Sequence, residues 1–329
     1  MLTLRGECWV ITDSSAGNQR QALALAEQLR MPSRHLLLEP RAPWSWLAPR
    51  LTLGRQLALP ASQRAWFAPP WPAVAIGCGR AAALFTRMLR PLSAGRCHTV
   101  QILDPRLDPG LWDTVIAPRH DGLEGNNVLR TLGSLNPVDR EWLADGRDAC
   151  PEFGELPRPR VGVLLGGTRH GIALDAGYAR DLATHLLERQ RNEGGSLLVL
   201  TSRRTPAVLI ETFRPLLKGV PGLLWTGRGD GPNPYPGVLG WADRLVVTAD
   251  SVNMLSEACA VGCPVLTFVN APLPEKILRF HQALRDAGLL HDIDSPLLAA
   301  QAPLRETAQI ATLVHARILA AATRSGVDE

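Results

Sequence analysis

The feature that most constrains this chain is an alternation of short apolar runs with helical patterns along most of its length. The run WVITD at 9–13, for example, leads into a segment over 16–30 in which Leu25 and Leu29 recur at helical spacing. Apolar strands that alternate with helices are typical of parallel sheets whose two faces are both covered. The pattern therefore predicts an α/β fold.

The alternation is interrupted once and then starts again, which predicts two domains. The segment CPEFGELPRPR at 150–160 is rich in proline and charge, as linkers are. We therefore predict two Rossmann-like domains facing a central cleft, one over 1–152 and the other over 160–300. A chain of 329 residues is long enough for two domains of ordinary size.

The composition argues against several classes of protein. Apolar residues at 46% and charged residues at 20% predict a folded chain with a sizeable core. The net charge is only +4 and no basic block occurs, which argues against nucleic acid as the main partner. The six cysteines form no CxxC pair, so we predict no metal site. No signal peptide or membrane-length apolar run is visible, so we expect a cytoplasmic protein.

Two polar turns in the C-terminal half predict a site for a diphosphate. Ligands of open α/β sheets bind at the carboxyl ends of strands, near helix N-termini. The turn in LLGGTRHG has two glycines that let backbone amides approach an anion, and the turn in TSRRTP offers guanidinium groups that suit phosphate oxygens. A plain tight turn and a solvated arginine pair are the alternatives. The candidate residues are Gly166, Gly167, Thr168, Ser202, Arg203, Arg204 and Thr205.

The stretch GPNPYPGVLGWAD at 231–243 is a candidate for contacts with an aromatic ring of a ligand. Its prolines and Asn233 predict a rigid loop, in which Tyr235 or Trp241 is available for stacking. A purely structural loop is the alternative. We include Asn233 and Tyr235 among the candidate binding residues.

The stretch TADSVNMLSEACAVGCPVL, from Thr248 to Leu266, places a polar cluster between an apolar run and a helix. A helix cap accounts for Asp250 and Ser251 without a function. Capping does not account for Glu257, the one charged residue of this helix, whose carboxylate could accept hydrogen bonds from ribose hydroxyls. The candidate binding residues of this stretch are Asp250, Ser251, Met254, Ser256 and Glu257.

Two polar stretches of the N-terminal half are candidates for acid–base chemistry. TDSSAGNQRQ at 12–21 places Asp13 in a small polar loop before a helix. APRHDG at 117–122 ends a strand with His120 beside Asp121, and a histidine next to a carboxylate could act as a general base. A hydrogen-bonded loop pair is the alternative. No hydrolase or metal signature occurs in the sequence.

Together these stretches resemble the mitochondrial-fission (elongated-mitochondria) family, and the chain is similar to its bacterial members. The resemblance implies the GT-B fold of glycosyltransferases, with a nucleotide-sugar site in the C-terminal domain. It also implies that the turn Gly166–Thr168 contacts the diphosphate, that Glu257 contacts the ribose, and that a last helix over 303–323 packs back on the N-terminal domain. The matching stretches are TDSSAGNQRQALALAEQL, QILDPR, IAPRHDGLEGNNV, VLLGGT, TSRRTP, NPYPGVLGWAD and VTADSVNMLSEACAVGCPV.

One position departs from the pattern that we expect of this family. Asn18 stands where many members are expected to carry a histidine that could serve as the base. His120 or Asp121 is then the candidate base, and Asp13 and Asn18 are further candidates for a catalytic role. The alternative is that the protein does not catalyse a reaction. The first hypothesis is a metal-independent, glycosyltransferase-like protein that needs no cofactor besides a nucleotide-diphosphate sugar as donor, with an acceptor that the sequence does not name.

Two other hypotheses stay open. One is a nucleotide-sugar epimerase or hydrolase on the same fold. The other is a non-catalytic, fission-type interaction protein that associates peripherally with a membrane, for which the inner membrane is the candidate. The final stretch over 306–324 is apolar enough to contact a membrane, although packing against the N-terminal domain is the simpler interpretation.

Overall fold

The structure, a computed structural model, describes residues 4–54, 57–296 and 299–324, and the chain divides into two compact units. The first unit extends to Pro137 and resumes at Glu306, and the second runs over Val138–Arg305. Each unit is built on a parallel sheet with helices, which confirms the predicted α/β class. The division falls at Pro137, ahead of the segment 150–160 whose prolines and charges predicted a linker.

The sheet of the first unit has the strand order β2-β1-β3-β4-β5-β6, and all of its pairs are parallel. Its strands are β1 (Cys8–Thr12), β2 (Ser33–Leu37), β3 (Val74–Cys78), β4 (His98–Ile102), β5 (Thr114–Pro118) and β6 (Val128–Thr131). The helices of this unit are α1 (Ala16–Leu29), α2 (Trp44–Leu47), α3 (Ala61–Arg64), α4 (Gly79–Leu92) and α11 (Thr307–Arg324).

The last helix, α11, completes the core of the first unit. Its residues Ile310 and Val314 are buried in the same apolar cluster as Leu25 and Leu29 of α1. The carboxylate of Glu306, just before α11, accepts hydrogen bonds from the N–H groups of residues 132 and 133 at 2.9 Å each. The apolar face of this helix is therefore occupied by packing within its own unit. In the part of the chain that the structure describes, no helix is long and apolar enough to cross a membrane.

The sheet of the second unit has the order β12-β11-β10-β7-β8-β9, again with parallel pairs throughout. Its strands are β7 (Arg160–Leu165), β8 (Ser196–Thr201), β9 (Gly222–Trp225), β10 (Arg244–Val247), β11 (Val265–Thr267) and β12 (His291–Asp292). The helices are α5 (Arg140–Ala149), α6 (Ala176–Glu193), α7 (Ala207–Leu216), α8 (Tyr235–Trp241), α9 (Val252–Cys259) and α10 (Glu275–Asp286).

The prediction of a rigid loop over 231–243 is wrong in part, because Tyr235–Trp241 forms α8. Pro234 precedes this helix and Pro236 lies in its first turn, where a missing N–H costs nothing because the first turn has no intrahelical acceptors. The supposed linker is also packed: Phe153 is buried, and a Cβ on Gly154 would lie 2.8 Å from the ring of Trp241. Pro234 and Pro236 therefore mark the start of helix α8.

Candidate functional site

The candidate site of the second unit lies where the strand order of its sheet reverses. Strand β7 has β8 on one side and β10 on the other, so the turns that follow these three strands are neighbours at the carboxyl edge. Such a reversal opens a crevice at the carboxyl ends of the strands, where open α/β sheets bind their ligands. The structure thus brings together the predicted turns after β7, β8 and β10.

The Asp250 carboxylate joins two of these turns. It is 2% exposed and accepts hydrogen bonds from the Thr248 hydroxyl at 2.7 Å and from the Gly167 N–H at 3.0 Å. The Thr248 hydroxyl oxygen in turn accepts the Gly166 N–H at 2.8 Å. Burial raises the pKa of Asp250, and the hydrogen bonds from Thr248 and Gly167 oppose that shift. The two glycine amides, which were expected to approach an anion, therefore donate inside the protein.

The glycine pair after β7 is required by close packing. A Cβ on Gly166 would lie 2.2 Å from an Asp250 carboxylate oxygen, and a Cβ on Gly167 would lie 2.6 Å from the carbonyl oxygen of Arg204. Neither distance leaves room for a side chain. The glycines let the turns after β7, β8 and β10 approach one another, which is a steric role.

The turn after β8 is fixed by hydroxyl groups and presents arginines. The Thr205 hydroxyl lies 2.8 Å from the Leu165 carbonyl oxygen and 2.7 Å from that of Gly166, and its oxygen accepts the Ser202 N–H at 2.8 Å. Ser202 and Thr205 are thus occupied in joining β7 to β8. Arg203 and Arg204 are exposed beside this junction, as is Thr168 in the turn after β7.

A buried acid lies on the first helix after β10. Glu257 is 1% exposed, and its Oε2 accepts a hydrogen bond from the hydroxyl of the half-buried Tyr235 at the start of α8. Asn233 Oδ1 accepts the N–H of Tyr235 at 3.1 Å, which fixes the entry into that helix. Trp241, the other proposed stacking residue, has its ring against the Arg160 guanidinium at 5.2 Å and is part of the packing.

The other candidate residues of this stretch, Ser251, Met254 and Ser256, form hydrogen bonds within α9 and its cap. Ser251 is its N-cap, and the Ser251 hydroxyl accepts the N–H of the half-buried Met254 at 3.3 Å. Ser256 is fully buried, and its hydroxyl donates to the Val252 carbonyl at 2.7 Å. The cap therefore involves Ser251 alone, while the Asp250 carboxylate crosses to the turn after β7.

Three features of this edge were not predicted from the sequence. Arg169 donates to the Asp250 carbonyl at 3.3 Å. His281 of α10 is fully buried with its Nε2 3.0 Å from the Ala249 carbonyl, and burial lowers the pKa of this histidine to about 4. A small open pocket of about 20 Å³ lies next to Ala249, lined mainly by 171–173 and 268–273. Only Arg169, directly after the predicted turn, left a local signal in the sequence.

In the first unit the predicted acid–base residues form two separate pairs. Asn18 Nδ2 donates to Asp13 Oδ1 at 3.1 Å, after β1. His120 Nε2 lies 3.6 Å from Asp121 Oδ1, and both side chains are buried. The second pair follows β5, which is three strands from β1, or about 14 Å at the usual strand spacing. The structure therefore unites the members of each pair but keeps the two pairs apart.

Comparisons with known proteins place most of the chain in one family. A family model described as mitochondrial fission ELM1 matches residues 16–318. The mitochondrial fission protein ELM1 of Arabidopsis thaliana is 32% identical over 278 residues, which cover 76% of this chain and 64% of that protein. The chain thus spans less than two thirds of the length of that relative.

Solved structures share the fold at low identity. The UDP-GlcNAc 2-epimerase of Methanocaldococcus jannaschii in complex with UDP-GlcNAc and UDP superposes with a TM-score of 0.52 at 10% identity, covering 94% of this chain and 99% of that one. Os79 of O. sativa in complex with UDP gives a TM-score of 0.54 at 11% identity, covering 96% and 94%. The two parallel six-stranded sheets thus have the GT-B-like architecture that the resemblance to the fission family implied.

Proposed function

The chain belongs to the mitochondrial fission ELM1 family, and from that membership and its GT-B-like fold we propose that the second unit binds a nucleoside-diphosphate sugar. The observation that carries the proposal is the buried carboxylate of Glu257. This residue lies on α9, the helix that follows β10 at the strand-order reversal, and its carboxylate accepts a hydrogen bond from the Tyr235 hydroxyl. A buried carboxylate is stable only where hydrogen-bond donors reach it, and the Tyr235 hydroxyl is one such donor. Ribose hydroxyls are donors of the required kind.

The charges at this edge suit a diphosphate. Arg203 and Arg204 are exposed beside the glycine turn, and Arg169 lies at the Asp250 carbonyl. Guanidinium groups bind phosphate oxygens in bidentate fashion, and two or three of them offset much of the charge of a diphosphate without a metal ion. Because the amides of Gly166 and Gly167 are occupied, these arginines and the exposed Thr168 hydroxyl are the donors that we assign to the phosphates.

The proposed ribose contact also involves Tyr235, the hydrogen-bond partner of Glu257. Its hydroxyl already donates to Glu257, so a ribose that reaches the carboxylate must share or replace that bond. A carboxylate has about four acceptor positions, so a ribose hydroxyl and the tyrosine hydroxyl can both be accommodated. The half-buried Tyr235 ring then covers the nucleoside, which agrees with the expectation that this ring stacks on a ligand.

The class of ligand is supported by the solved structures that share the fold. The epimerase of M. jannaschii is described in complex with UDP-GlcNAc and UDP, and Os79 in complex with UDP. We therefore expect a uridine nucleotide before a guanosine or adenosine one. Sugar transfer is the reaction that we propose, with the base among His120, Asp121 and Asp13, and with Asn18 positioning Asp13.

Isothermal titration with UDP-GlcNAc, UDP, GDP and ADP tests the binding step. We expect the wild-type protein to bind the uridine ligands and Glu257→Gln to bind them at least about tenfold more weakly, because each hydrogen bond to a charged group contributes about 1.5–3 kcal/mol. The exposed Glu275 of α10 provides a matched control, and Glu275→Gln should bind like the wild type. Absence of binding by the wild type to all four ligands would refute the proposal. Analysis of the products formed from UDP-GlcNAc then separates transfer from epimerisation and hydrolysis.

A further inference from the structure

The most exposed large apolar side chains of the described residues are confined to one short segment of the first unit. Trp46 is 74% exposed, Leu47 51%, Leu53 84% and Leu57 50%, and every other large apolar side chain that the structure describes is less than half exposed. These four side chains are here called the apolar tip; Trp46 and Leu47 end the short helix α2, and Leu53 and Leu57 follow it. Apolar side chains concentrated in this way mark an interaction surface, whereas exposed leucines scattered singly need no explanation.

The backbone that carries the apolar tip is held in place. The N–H of Arg41 donates to the Ala58 carbonyl at 2.8 Å, and the Trp44 indole N–H donates to the Leu53 carbonyl at 2.9 Å. Arg87 of α4 donates to the Pro49 carbonyl at 2.9 Å. The apolar tip is therefore presented by an anchored segment, and its exposure is built into the fold.

The stretch of sequence that contains the apolar tip is strongly basic. Between residues 30 and 71 the sequence has six arginines and a single acid, Glu39, a net charge of 6 − 1 = +5 in a chain whose total is +4. Of these arginines, Arg34, Arg41, Arg50 and Arg64 are exposed. Positive charge around exposed tryptophan and leucine is complementary to an anionic surface into which apolar groups can insert.

We propose that the apolar tip docks the protein on an anionic phospholipid bilayer. Trp46 would lie at the headgroup level, where the amphipathic indole is favoured, with Leu53 inserted beside it and the arginines near the lipid phosphates. A second copy of the chain fits this surface poorly, because a two-fold contact through the apolar tip would bring the two basic surroundings together. The proposal is independent of the nucleotide-sugar site, which lies on the other unit.

Co-sedimentation with phosphatidylcholine vesicles, with and without phosphatidylglycerol, tests the proposal. The wild-type protein should sediment only with the vesicles that contain phosphatidylglycerol, and less at high salt because the attraction is screened. The double substitution Trp46→Ser/Leu53→Ser should lower the partition coefficient at least about tenfold, since each side chain loses apolar contact with the acyl region. Arg50→Gln should lower it about fivefold.

The matched control replaces two half-exposed leucines elsewhere, in Leu278→Ser/Leu313→Ser, each of them 49% exposed. This control also tests α11, which carries Leu313, as a membrane contact. We expect it to sediment like the wild type, and all variants to keep the circular dichroism of the wild type. The proposal is overturned if the wild-type protein stays in the supernatant or if only the control loses binding. It is also overturned if light scattering finds a wild-type dimer that the tip variant converts to a monomer.

Discussion

Replacing Gly166 with alanine should destabilise the second unit through a single clash. The added Cβ would lie 2.2 Å from one carboxylate oxygen of Asp250 and 2.3 Å from the other. Gly166 does not have a positive φ, so the backbone itself accepts an alanine and the cost is steric. The carboxylate has no free direction to move, because it is buried and holds the Gly167 N–H and the Thr248 hydroxyl.

The magnitude follows from these contacts. Inserting a methyl group into a packed site costs about 1–3 kcal/mol, and displacing Asp250 from its donors adds to the upper end of that range. The second unit runs from 138 to 305, which is 305 − 138 + 1 = 168 residues. For a unit of this size each kcal/mol lowers Tm by roughly 2–4 °C, so we expect a decrease of about 2–12 °C.

Differential scanning calorimetry of the full chain measures the effect. Gly229→Ala is the matched control, because a Cβ there has nothing within 4 Å and the φ of Gly229 is ordinary. Gly166→Ala should cost less in an Asp250→Ala background, where the clashing oxygens are gone, with a coupling of about 0.5–3 kcal/mol. Equal Tm values for Gly166→Ala and Gly229→Ala, or an unchanged cost in the Asp250→Ala background, would refute the proposed packing of the turns.

Three further outcomes follow from the same edge of the sheet. The pKa of His281 is about 4 in the folded protein and about 6.5 unfolded, so the unfolded chain protonates first and the free energy of unfolding should fall by about 3 kcal/mol from pH 6.5 to 4. Urea unfolding across this pH range checks it, and an equally steep decrease in His281→Gln would contradict it. Ser251→Ala removes the cap of α9 and should cost about 1 kcal/mol, whereas Ser251→Gly should cost only a few tenths, and equal costs in urea unfolding would argue against a capping role. Thr248→Val leaves the Gly166 N–H and Asp250 without their shared hydroxyl and should lower stability by about 1–3 kcal/mol, and an unchanged calorimetric Tm would contradict that network.

The sheet strands and the turns of the site were largely within reach of the sequence, because both depend on local pattern. Apolar runs such as VGVLLGG predicted β7 and its glycine turn, since a buried parallel strand is apolar on both faces. Strands β6 and β12 and helices α2, α3, α5 and α8 were missed. Strand β12 has two residues and β6 is only partly buried, so neither forms a clear apolar run. At α8 the prolines, which are typical of turns, lie at the N-cap (Pro234) and in the first turn of the helix (Pro236).

The hydrogen-bond partners within the site were beyond the reach of the sequence, because the fold decides them. Nothing local indicates that the Asp250 carboxylate meets an amide 83 residues earlier in the chain, or that His281 reaches the Ala249 carbonyl from α10. The glycine pair was interpreted as an approach for an anion, and its N–H groups are occupied by Thr248 and Asp250. The acid that stood out in the sequence, Glu257, is buried and hydrogen-bonded at the predicted edge.

A crystal structure of the protein with UDP tests the central claim most directly. We expect the ribose hydroxyls within hydrogen-bond distance of the Glu257 carboxylate and the phosphates against Arg203, Arg204 or Thr168, with the Tyr235 ring next to the nucleoside. UDP bound elsewhere on the chain, with the bond between Tyr235 and Glu257 unchanged, would contradict the account.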